Sequence, residues 1–118
     1  MADRKLDIVN IYERVMKIVW QRLSPTFGLR TINAIAKNVV VRQAQEHPFA
    51  RYLHANENGL DWTEVKAHVS EVSEEELSSS LEALLDEFFD ALSSLIGRLV
   101  VGKLFLEAEQ EAKKGGVA

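Results

Sequence analysis

Residues 88–106, FFDALSSLIGRLVVGKLFL, form the most apolar stretch of the chain, and where it goes constrains everything else. A membrane-spanning helix needs about 20 mainly apolar residues. This stretch contains Asp90, Arg98 and Lys103, with Ser93 and Ser94 between the first two. Each charge near a bilayer centre costs about 2.5–3.5 kcal/mol, so three of them offset much of what the apolar residues gain. Burial in protein is the expectation, and a membrane span is not.

The stretch continues a longer pattern. Ser73 and Glu76 have capping-box spacing, and Glu74 to Glu76 suit the positive end of a helix dipole. Leu77, Leu81, Leu84, Leu85, Phe88, Leu92, Leu95, Ile96 and Leu99 then recur at helical spacing, with Glu82, Asp86 and Asp90 turned away. The spacing predicts a long helix over 74–112, kinked or divided near Gly97 and Gly102, with a frayed tail at 113–118. Each glycine inside a helix costs about 1 kcal/mol against alanine.

Past Ile96 the apolar residues cover most of the helix circumference: Leu99, Val100, Val101, Leu104, Phe105 and Leu106. A helix apolar nearly all round must be surrounded. A bundle of this size rarely supplies neighbours on every side, so a second copy of the chain is the expected partner. Leu95, Leu99, Val101, Gly102, Phe105 and Leu106 are the expected dimer interface. The alternative is a central helix wrapped by the chain's own neighbours.

Those neighbours are legible upstream. Ile8, Ile11, Tyr12, Val15, Ile18 and Val19 predict a helix over 6–23, which SPTFG interrupts at Ser24 and Pro25. Ile32, Ile35, Ala36, Val39, Val40 and Ala44 predict a second over 29–46. Val39 to Val41 are three strand-favouring residues in a row, but the helical spacing runs through them. Pro48 ends the helix, because the residue before a proline is pushed out of the helical region. Residues 49–72 are irregular. ANENG reads as a turn, and a short helix over 62–69 starts with Asp61 as cap, with Trp62, Val65 and Val69 inward. A short extended piece at 59–62 is the alternative. The expected fold class is an all-α bundle of about four helices, a single domain over 1–118.

Composition narrows the chemistry. The 118 residues include no cysteine, which excludes disulfides, thiolate catalysis and cysteine-ligated metal. The N-terminus has no apolar core followed by a small-residue cleavage site, so a cytoplasmic location is expected. The net charge of −4 is unevenly spread. Residues 1–54 carry nine Arg and Lys against four Asp and Glu, whereas residues 55–118 carry five against fourteen. Oppositely charged helices lying against each other account for this pattern more simply than a nucleic-acid face does.

No standard catalytic constellation is present, and a non-enzyme is expected. His47 and His54 are seven apart, but Pro48 breaks the helix that would align them. His68 has no HxxxH or HExxH partner, so no metal or other cofactor is expected. The acidic run from Glu74 to Asp90 follows a cap and then a solvent face. GLRTINAIAK has neither a GxGxxG nor a GxxxxGK[ST] phosphate loop, and no GxSxG elbow occurs.

The primary expectation is a self-associating interaction or regulatory module that docks a further protein partner. A small-ligand sensor is the alternative, with Trp20, Phe27, Phe49, Tyr52 and Trp62 around an apolar pocket. Nucleic-acid binding through Arg30, Thr31, Asn33 and Lys37 is a weaker second alternative.

Overall fold

The computed structural model describes residues 4–56 and 59–117. Its elements are α1 (Arg4–Phe27), α2 (Leu29–Glu46), β1 (His54–Asn56), β2 (Gly59–Asp61), α3 (Thr63–Ala67), α4 (Glu74–Ile96) and α5 (Arg98–Val117). Short 3-10 turns at Pro48–Tyr52 and Val69–Glu71 flank the middle region. This is an all-α bundle, with a small antiparallel hairpin in the crossover between α2 and α4.

Four long helices alternate in direction. Arg4 pairs with Glu74, and Trp20 stacks on Phe88, so α1 and α4 run parallel. α2 returns antiparallel beside them, with Arg42 and Gln43 both reaching Glu87. α5 folds back along α4, where Phe105 meets Phe88 and Phe89, and also packs on α1, where Arg22 holds Glu107 and Glu111. The core is a single apolar cluster that includes Val9, Val19, Ile32, Leu77, Phe88 and Val101.

Two helical hairpins turn on single glycines. Gly28 has φ +83° and Gly97 has φ +119°, both in the region that side-chain-bearing residues rarely enter. At each joint the backbone bonds close over the glycine. Gly97 N–H donates to the Ser93 carbonyl at 2.9 Å, and Val101 N–H donates to the Gly97 carbonyl at 3.1 Å. The long apolar pattern therefore divides at Gly97, whereas Gly102 lies inside α5.

Several boundaries differ from the sequence reading. The first helix runs four residues further, to Phe27, because a proline near a helix end removes only one backbone donor. Ser24 Oγ donates to the Trp20 carbonyl there, and the turn falls at Gly28 instead. The tail expected to fray is helical to Val117. In the crossover both readings hold in part: Gly59–Asp61 is extended and α3 follows it directly. The N-cap position falls to Trp62 rather than to the expected Asp61, whose Oδ1 instead accepts from the Thr63 N–H at 3.0 Å in a turn just before the helix. Residues 57 and 58, in the middle of the predicted turn, lie outside the described residues, as do 1–3 and 118.

Part of the uneven charge is met by ion pairs between the two halves. Arg4 meets Glu74, Arg22 meets Glu107 and Glu111, and Arg42 meets Glu87, each pairing the basic half with the acidic half. No helix among the described residues is long and apolar enough to cross a membrane.

Candidate interaction surface

The segment that opened the sequence argument meets two fates. Val101 and Phe105 are buried in the subunit's own core, at 0 % and 4 % exposure. Leu99 is 92 % exposed, with Leu95 at 56 %, Val100 at 60 % and Leu106 at 58 %. The six residues expected at a dimer interface are thus divided by the direction α5 takes after Gly97. Val101 and Phe105 turn inward against the bundle, Phe105 keeping only a small edge at the groove between α4 and α5. Leu99, Gly102 and Leu106 share one outward stripe of α5, at spacings of three and four.

Beside that stripe runs a groove between α4 and α5, lined by Leu85, Phe89, Gly102, Phe105 and Leu106. Its rim is charged with both signs. Asp90 pairs with Arg98 at 3.2 Å, and the Arg98 guanidinium lies 5.5 Å from the Phe89 ring centre. Asp86 and Glu109 also line the groove, and Lys103 is exposed on α5. Among the described residues these last three make no ion pair. The surface is therefore an apolar strip with unpaired charges of opposite sign along its margins.

Comparison with protein-family models, curated proteins and solved structures gives no match.

The residues proposed for a ligand pocket are scattered. Trp20 and Trp62 line one cleft between α1 and the hairpin, of about 330 Å³. Phe49 and Tyr52 line another, between the Pro48–Tyr52 turn and α4. Phe27, near the Gly28 joint, lines neither. Tyr52 is instead part of a surface stack. Its ring lies flat on His68 at 3.9 Å, its hydroxyl donates to Glu71, and Arg51 donates to that hydroxyl.

Three of the four residues expected at a nucleic-acid face come together on α2. Arg30, Asn33 and Lys37 line one shallow surface depression with Leu29 and Ala34, and Thr31 is exposed outside it. The Asn33 side chain is committed at both ends. It accepts from the Trp20 indole at 3.2 Å and donates to the Asn56 carbonyl at 2.6 Å, which ties α2 to α1 and the hairpin.

His54 and His68 both bond to Glu64. His54 meets Glu64 at 2.7 Å, and the His68 Nδ1 bonds to the Glu64 carbonyl at 2.8 Å. Among the described residues no group of three or more His, Asp or Glu is placed to hold a metal ion. Sequence reasoning named Val100 as excess apolar surface but left it out of the expected interface, and it missed the Phe89–Arg98–Asp90 rim. The apolar periodicity showed that α5 had too much oily surface, but not which side of it the Gly97 turn would leave outside.

Proposed function

We propose that the chain is a non-catalytic helical interaction module that pairs with a second copy of itself through the outer face of the α4–α5 hairpin. The carrying observation is Leu99, almost wholly exposed on a helix whose opposite side is fully buried. Contiguous apolar surface of this kind, rimmed by polar groups, marks interaction sites more often than it is left to water.

A second copy is the occupant that the charge pattern favours. In a two-fold pairing the same patch meets itself, so any charged group on one copy must find a complement within the patch. Asp86 and Glu109 line the groove and Lys103 is exposed on α5, so both signs of charge are present, while Leu95, Leu99, Val100 and Leu106 supply the apolar surface. Pairing through this face would leave the α1–α2 side for a further protein partner, which is the regulatory part of the proposal.

The chain has no cysteine, so single thiols can be introduced cleanly. With Leu99→Cys, a short bismaleimide is expected to yield a covalent dimer rapidly at micromolar protein. Val41→Cys, an exposed position on α2, is expected to cross-link only at the rate of random collision. Equal rates for the two variants would refute the assignment.

A further inference from the structure

We infer that the cleft between α1 and the β1–β2 hairpin is a binding site for a small, flat, apolar carboxylate. It lies apart from the α4–α5 face and does not depend on pairing. Its volume of about 330 Å³ falls at the lower end of the range for small-molecule sites.

The apolar body of the site comes from Met16, Trp20, Leu29, Leu60 and Trp62. Trp20 is fixed on three sides. Phe88 stacks on it at 5.5 Å, Asn33 accepts its N–H, and Gly59 backs it so closely that a Cβ there would lie 3.5 Å from the indole nitrogen. Trp20 thus offers a rigid edge. Trp62 is almost fully buried, yet among the described residues its indole N–H has no hydrogen-bond partner. That nitrogen keeps some contact with solvent, so it is available to donate to a molecule that enters the cleft.

The polar lining favours an anion. Glu13, Lys17, Gln21 and Ser24 follow one another along a single face of α1 at spacings of four, four and three. Glu13 is neutralised by Lys66 at 2.6 Å, which leaves Lys17 as the cation without an ion pair among the described residues. Lys17, the Gln21 amide and the Trp62 N–H are all donors. A carboxylate accepts from such a set, and an ammonium or a plain hydrocarbon does not.

Both tryptophans of the chain line this cleft, so intrinsic fluorescence reports on its occupancy. The test uses 2-naphthoate as probe and 2-naphthamide as its uncharged counterpart, with ligand-observed NMR as a second readout. Saturable naphthoate binding is expected, with the amide at least tenfold weaker. Lys17→Gln should bring the two probes to similar affinity. Leu60→Trp, at a partly exposed position that fills the cleft, should abolish binding of both while the helical circular dichroism is unchanged. The assignment is overturned if naphthoate does not bind saturably. It is equally overturned if the amide binds as well as the acid, or if binding survives both substitutions.

Discussion

Trp20 of α1 and Phe88 of α4 stack with ring centres 5.5 Å apart and planes 21° apart, joining two helices that are separated by most of the chain. Phe88 also meets Phe105 of α5 at 6.4 Å, so three of the four long helices converge on one ring. Phe88→Ala removes that ring from a position only 1 % exposed. A loss of about 3–5 kcal/mol is expected, from the missing apolar contacts and the cavity left behind. Urea unfolding followed by tryptophan fluorescence measures it directly.

The two glycines of the last apolar stretch should respond oppositely to alanine. Gly97 has φ +119° and open space around it, so Gly97→Ala suffers backbone strain without a clash. A destabilisation of about 1–3 kcal/mol is expected. Gly102 sits inside α5, and a Cβ there would touch Phe89 Cζ at an ordinary 3.9 Å. Gly102→Ala should be neutral or stabilising by about 1 kcal/mol. Thermal melts of both variants check the contrast.

Tyr12 gives the fold an alkaline limit. Burial holds its hydroxyl above the ordinary range, and the carboxylates of Glu82, Asp86 and Glu109 push in the same direction. The folded state therefore prefers the neutral phenol. That contribution is complete below the unfolded value of about 10 and is lost as pH rises through the higher folded value. Urea midpoints between about pH 9 and pH 11 should fall more steeply for the native chain than for Tyr12→Phe.

Ser73 caps α4, with its Oγ accepting from the Glu76 N–H at 3.1 Å. Ser73→Ala should cost about 1 kcal/mol. Hydrogen exchange should speed up most in the first turn of α4, where that amide loses its partner.

Much of this was legible in the sequence, for identifiable reasons. The side-chain cap at Ser73, the stripe from Leu77 to Leu92 and the persistence of helix through Val39 to Val41 each follow from local spacing and propensity. The inward turn of Trp62 and Val65 follows in the same way. The length of α1 was not legible, because Pro25 and Gly28 both signal an end and only the tertiary setting selects between them. The burial of Val101 and Phe105 beside the exposure of Leu99 and Val100 depends on how α5 is aimed by one glycine dihedral, and no periodicity encodes that. The Trp20–Trp62 cleft required a hairpin whose residues are 40 positions from the α1 face it covers. The pairing of Glu13 with Lys66 beside it has no sequence signature.

The central claim is that the outer face of the α4–α5 hairpin is an interface between two copies of this chain. Sedimentation equilibrium of the native chain and of Leu99→Asp, over a concentration series in the micromolar range, tests it most directly. The account predicts a native mass approaching twice 13.3 kDa and a Leu99→Asp variant that stays at 13.3 kDa with unchanged helicity. A native chain that remains at 13.3 kDa throughout the series contradicts it.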